Sequence, residues 1–424
     1  MFIRRTENNL FTKWWLGVDK FILFSVLALI VFGILIQFAA SPYQARRMKF
    51  SDEYHFIKNI GVYMWFGLFI MISVSTMKLQ SIRKWTIIGF PVLCLMLVAT
   101  LFFTGAKGAT RWINFGVMKI QPSELLKPFF AIAVAMILVR IKDLHKMIKD
   151  MEKKNGMDKK RKIFFPIKAV IFTVQCIRKF CSLFSKKEKI KKPMDEYSKL
   201  KKRRKNYCLL LCCILGFICA VLIKQPDFGM TITYLVIFFA EILVAGLPWK
   251  IFFIFIAMAS GIIPFAYKFF PHFFIRINKF LMNDNYQLDK ALDAIKESNL
   301  LFGGHANNLK TIVPDIHTDF IFAAVIEEFG PILSILLILL FLILIIHILY
   351  KLKSKENSFV IFSGIGISSY ITFQITYNLI STLGIGPTKG MTLPFISYGG
   401  SSFCSSCLAI GIILSLLQDQ NLRR

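Results

Sequence analysis

The chain has 424 residues, with 53 Lys+Arg against 24 Asp+Glu, giving a formal charge of +29. It is nonetheless 56% hydrophobic and only 18% charged, below the roughly 25% charged content of a soluble domain. Repeated apolar runs of the length a bilayer requires, about 20 residues, exclude a soluble enzyme, a disordered basic protein and a histone-like binder.

In chain order, ten apolar segments are expected to span a membrane: Phe21–Ala40, Ile60–Ser75, Trp85–Thr104, Glu124–Val139, Tyr207–Ile223, Gly229–Leu247, Ile251–Phe270, Phe320–Leu349, Phe359–Leu383 and Phe395–Leu417. The fold class is therefore an all-α polytopic membrane protein with about ten transmembrane helices. A barrel is excluded, because its strands would alternate in polarity over about ten residues. The first run is too long for a signal peptide and reads as a retained helix.

Three parts follow: residues 1–140 with helices 1–4, a basic insert at 141–206, and residues 207–424 with helices 5–10. A large loop, 271–318, joins helices 7 and 8. With the N-terminus inside, the inner segments hold 36 Lys+Arg and the outer loops 15. The positive-inside rule then gives N-in and C-in, although the insert alone supplies 23 of the 36. The insert carries 7 acidic residues and is net +16. Its apolar stretch, Ile163–Phe184, is interrupted by Lys168, Arg178 and Lys179. An amphipathic helix on an anionic inner leaflet and a solvated loop are both open readings; nucleic acid is not expected as a partner. Nine cysteines lie in spans or the insert and read as packing residues, including the CxxC of Cys404 and Cys407.

Charged residues in or beside spans are costly and so mark candidate sites. The segment Gly105–Lys127, GAKGATRWINFGVMKIQPSELLK, carries Arg111 and Lys119 on an outer loop. Glu124 and Lys127 follow at i, i+3, where they can pair. Headgroup contact and a structural ion pair are the plain alternatives. KQPDFG places Asp227 at a tight turn, most simply as a helix cap. In VPDIHTDFIFAAVIEEFG, Thr318 is expected to cap a helix with Asp319 in its first turn. The helix N-terminus there favours an ionised carboxylate, which can serve as a general base or merely as a cap. Glu327 lies about 80° round from Asp319 and Glu328 about 180° on such a helix, so Glu327 is the better cavity candidate. Gly330–Pro331 is expected to kink it. Last, GIGPTKGMTLPFISYGGSS carries Lys389 and Ser397, and its small residues allow close helix approach.

These four clusters, in this order on ten spans, resemble the SEDS family (shape, elongation, division and sporulation proteins), which polymerise peptidoglycan. The motifs that carry the likeness are GATRWI with QPSE, QPDFG, HTDFIFA with EEFG, and PTKG with TLPFISYGGSS. The opening WWLGVDKFILFSVLALIVFGILIQFAASP is more similar to the division branch than to the elongation branch. The resemblance implies an inverting glycosyl transfer that polymerises lipid II and releases undecaprenyl pyrophosphate at the septum of the bacterial cytoplasmic (inner) membrane. It implies that Asp319 is catalytic, that Arg111, Lys119, Lys389 and Glu327 meet substrate, and that Glu124, Lys127, Asp227 and Ser397 support them. It further implies a class B penicillin-binding protein (a transpeptidase), other divisome proteins and membrane lipids as partners. A lipid II flippase and an elongation-type polymerase are the alternatives. A divalent cation is the one cofactor to consider, since such ions aid pyrophosphate departure. No cluster has metal-ligand spacing; Asp315 and Asp319 come nearest. Two departures stand out: the family's glycine repeat reads Gly303-Gly304-His305-Ala306-Asn307-Asn308 here, and the insert is long.

Overall fold

A computed structural model describes residues 10–102, 111–114, 119–154, 193–246, 316–387 and 390–418, with isolated positions 274, 278, 282, 289 and 292. The insert's apolar stretch, the expected span Ile251–Phe270, Asp315, the Gly303–Asn308 run and Lys389 fall outside the described residues. The described chain is helical apart from one short hairpin. The helices are α1 (Leu10–Gly17), α2 (Lys20–Arg47), α3 (His55–Ser75), α4 (Leu79–Ala99), α5 (Pro122–Lys154), α6 (Pro193–Lys224), α7 (Phe228–Val244), α8 (Ile321–Lys353), α9 (Ser358–Thr382) and α10 (Gly400–Leu417). Strands β1 (Ile113–Asn114) and β2 (Lys119–Ile120) pair antiparallel just before α5.

Local chemistry sets the ends. Asp19 caps α2 by accepting from the Phe21 and Ile22 amides at 3.1 and 3.3 Å. Asp227 caps α7 through Met230, and Asn357 caps α9 through Phe359. Such side-chain acceptors satisfy amides with no partner inside the helix. Arg46 and Arg47 end α2, where positive charge suits the dipole. Pro122 opens α5, a position that needs no amide donor.

Seven described helices are long and apolar enough to cross a membrane, with α7 a shorter apolar helix. The expected Glu124–Val139 span is the first part of α5, which continues to Lys154. Residues 141–154 and 193–206 are thus helical, because Lys, Glu, Met and Leu are good helix formers whatever their charge. Residues 139–212 make a separate compact unit. Inside it, Tyr197 Oη donates to Glu152 Oε1, and Arg204 lies 3.0 Å from His145 Nδ1.

In the other unit, the core forms around α10, where 17 of the 18 residues are buried. It packs chiefly against α3. Gly67 lies against Phe403 and Cys407, and Gly411 against the Met71 backbone, so neither helix has room for a side chain at those crossings. α9 packs on α7 and α8, and α2 on α8 and α3. Large apolar side chains such as Trp65, Phe69, Ile88 and Leu95 point outward from α3 and α4, as lipid contact requires.

Two boundaries differ from expectation. The last span starts at Gly400, not Phe395, because Phe395 has φ 67° and the residues after it are spent in side contacts. α8 starts at Ile321 with Phe320 at its cap and no side-chain cap bond. Thr318 is therefore not a cap, and Asp319 lies ahead of the helix rather than in its first turn. The angles from Asp319 to Glu327 and Glu328 lose their basis, and both glutamates are half-buried. The expected kink is present: Gly330 has φ 78° and ψ 170°, followed by Pro331.

Candidate active site

Asp319 sits half-buried in the turn 316–320 that leads into α8. A glycine faces it: any Cβ at Gly390 would fall on both carboxylate oxygens of Asp319. The carbonyls of residues 317–319 are all taken. His317 O accepts from Gln37 Nε2 at 3.0 Å and from the Tyr398 amide at 2.8 Å. Thr318 O accepts from Ser397 Oγ at 2.6 Å, and Asp319 O accepts from Asn378 Nδ2 at 3.0 Å. Ser397 is buried and its oxygen also receives the Leu393 amide at 2.8 Å. The competing bonds explain why this segment does not join the helix.

His317 is packed between Phe56 and Tyr398, with ring centroids 4.8 and 5.3 Å away. Burial pushes its imidazole down to about 4, so it is neutral at ordinary pH and its ring acts as an apolar wedge.

One end of a second cluster reaches the same loop. Lys127 Nζ, with its side chain 2% exposed, pairs with Glu124 Oε2 at 2.6 Å. It also donates to Gln374 Oε1 at 3.0 Å and lies 5.1 Å from the Tyr370 ring centre. Gln374 Nε2 in turn donates to Thr392 O, Thr392 Oγ1 and Ser402 Oγ at 2.9–3.0 Å. Ser405 Oγ donates to Glu124 O. Glu124, Lys127 and the 390–399 loop are thus one network through α9.

Lys119 is exposed, but its backbone is fixed. Its amide donates to Tyr63 Oη at 2.9 Å, and its carbonyl accepts from Tyr63 and Ser401. Arg111 is held apart from Asp319's immediate contacts. It donates to Gln225 O at 3.2 Å and Pro226 O at 2.6 Å, and its Nε lies 3.7 Å from Asp227 Oδ2. Arg111 therefore braces the turn that Asp227 caps. Lys389 precedes Gly390 but is itself outside the described residues. Among the described residues no group of three or more His, Cys, Asp or Glu is placed to hold a metal.

Three buried polar residues had no place in the sequence reading: Gln37, Asn378 and Glu241. Glu241 lies in α7, wholly buried, with neither oxygen hydrogen-bonded among the described residues. It abuts Gly366 of α9, beside Ala131 of α5. Gln37 and Glu241 each appear as a lone polar letter in an apolar run, whereas Asn378 lies among Gln374, Thr376 and Tyr377 and does not stand out.

These features define a class: a mostly helical, multi-pass membrane protein with a half-buried carboxylate held where polar loops meet helix ends. The sequence profile of the cell cycle protein family of FtsW, RodA and SpoVE matches residues 20–422. The chain belongs to that family. Among its relatives, the "Probable peptidoglycan glycosyltransferase FtsW" of Caulobacter vibrioides is 29% identical over 424 residues, covering 98% of this chain and 93% of the relative. The protein of the same name from Coxiella burnetii is 27% identical, covering 95% and 96%. The fold is similar to a chain of a peptidoglycan synthase complex that coordinates polymerization and crosslinking, with TM-score 0.68, 20% identity and coverage of 97% and 100%. It is also similar to the rod shape determining protein RodA of Thermus thermophilus, with TM-score 0.57, 18% identity and coverage of 95% and 97%.

Proposed function

We infer that this chain is a peptidoglycan glycosyltransferase that polymerises lipid II into glycan strands. Its FtsW relatives carry that activity in their names, and it is the chemistry the site suits. The observation that carries the reading is the Asp319 carboxylate, fixed by its own backbone and facing a side-chain-free Gly390. The missing side chain at Gly390 is what lets the carboxylate sit against the loop.

In the proposed reaction Asp319 accepts the proton of the acceptor GlcNAc 4-hydroxyl. The oxygen attacks the donor's anomeric carbon from the face opposite the leaving group. The bond from that carbon to the pyrophosphate oxygen breaks, and undecaprenyl pyrophosphate departs with the electron pair. Arg111, Lys119 and Lys389 supply positive charge to the pyrophosphate, and Glu327 lines the substrate cavity. Glu124, Lys127, Asp227 and Ser397 hold the frame.

The finer placement is part of the proposal. Ten helices run N-in and C-in, with the site on the outer face. The loop 271–318 carries the approach to Asp319, and the insert 141–206 faces the inner leaflet. The protein acts at the septum beside a class B penicillin-binding protein. The test is polymerisation of purified lipid II by the full chain, with and without its transpeptidase. Asp319→Asn is expected to lower the rate by about 10²–10⁴-fold with insertion unchanged. A fully active Asp319→Asn enzyme would sink the assignment.

A further inference from the structure

We propose that Gln37 and Asn378 are positioning residues for Asp319: two side-chain amides, from α2 and α9, that lock the turn 316–320 onto the loop 390–399. The inference rests on the polymerase reading above and names parts of that site.

The two residues do the same thing. Gln37 Nε2 donates to His317 O at 3.0 Å and to Ile396 O at 2.9 Å. Asn378 Nδ2 donates to Asp319 O at 3.0 Å and to Met391 O at 2.6 Å. Each NH₂ group thus spends both hydrogens joining one carbonyl of the turn to one carbonyl of the loop. Among uncharged side chains the amide NH₂ is suited to this, because two carbonyl oxygens facing one nitrogen need two hydrogens from it. A carboxylate, an alkyl group or a single hydroxyl could not replace it.

Both side chains are almost wholly buried. Gln37 is oriented by Ser41 Oγ, which donates to its Oε1 at 2.6 Å. Buried amides in a membrane helix are expensive unless their groups are used. Here both NH₂ groups are used, while Asn378 Oδ1 has no hydrogen-bond partner among the described residues. The clamps hold the turn at His317 and at Asp319 itself, and hold the loop at Met391 and Ile396. The loop residue just before the first of these, Gly390, is the one on which the Asp319 carboxylate lies. Loosening either clamp lets the carboxylate and the loop drift apart while the helices stay packed. Misplacement by about 1 Å from a site remote from the chemistry can reduce turnover about 100-fold.

The experiment compares wild type, Gln37→Met, Asn378→Leu and the double variant in lipid II polymerisation by the purified full chain with its transpeptidase. Each single variant is expected to lower kcat by roughly 10- to 100-fold while KM changes by less than about twofold. Because both clamps hold one turn, the double variant should lose less than the product of the two single losses. Wild-type kcat in either folded single variant, or a loss confined to KM, overturns the proposal. Should these variants fail to insert, Ser41→Ala decides. It frees Gln37 Oε1 without removing the clamp and should lower kcat at least threefold, so unchanged kcat there also overturns it. An inactive wild type would instead refute the polymerase reading itself.

Discussion

Replacing Lys127 with Met tests the buried network directly. The ammonium contacts Glu124 Oε2 at 2.6 Å and Gln374 Oε1 at 3.0 Å, with both charged side chains nearly enclosed. Gln374 cannot rotate to compensate, because its NH₂ is held by Thr392 and Ser402. Lys127→Met therefore leaves one carboxylate and one amide oxygen facing a thioether. Removing one partner of a buried pair destabilises by about 3–5 kcal/mol. The double variant Glu124→Gln, Lys127→Met removes the stranded charge and should recover to within about 2 kcal/mol of wild type. Thermal and SDS-titration midpoints in detergent would report this, with the two singles and the double measured together. A Lys127→Met protein as stable as wild type, or a double variant worse than Lys127→Met alone, would refute the reasoning.

Three further outcomes are expected. Gly390→Ala puts a methyl on the Asp319 carboxylate and should cut polymerisation at least about tenfold with little change in unfolding midpoint; a normal rate would mean the carboxylate works elsewhere. His317 has a folded pKa of about 4, below its unfolded value of about 6.5, so the unfolded chain binds the extra proton between them. Its contribution is intact above pH 6.5 and falls by about 3 kcal/mol on going down to pH 4, so His317→Gln should flatten the stability profile over that window. Gly366→Ala drives a methyl into Glu241 and should destabilise by about 1–3 kcal/mol. Glu241→Ala in the same chain should relieve that clash, and failure to relieve it would place the strain elsewhere.

The helical class was legible because lipid leaves the backbone no other partner, and each apolar run declares itself by length. The Gly330–Pro331 break was legible for a similar reason, since both residues act on the backbone alone. Asp319's surroundings were not. Whether Thr318 caps a helix depends on Ser397 and Asn378, which lie 79 and 59 residues away along the chain from the carbonyls they bind. A local propensity cannot register such competitors. Gln37 and Glu241 show the other limit. As single letters they look alike, yet one bridges two loops and the other lies unbonded against a glycine. The reach of α5 to Lys154 was hidden by its charge, which suggested a loop although the residues favour helix.

The burial of α10 bears on how the protein is made. Among the described candidate spans α10 is the most enclosed, and it is synthesised long after its main neighbour α3. More than 300 residues separate Ser75 from Gly400, tens of seconds of synthesis at about 5–20 residues per second. During that interval Gly67 and the Met71 backbone lack the neighbours they are shaped for. The face of α3 that packs on α10 stays unmatched until α10 itself has left the ribosome. A chain cut short before Gly400 would then be membrane-inserted but coreless, a ready substrate for membrane proteases.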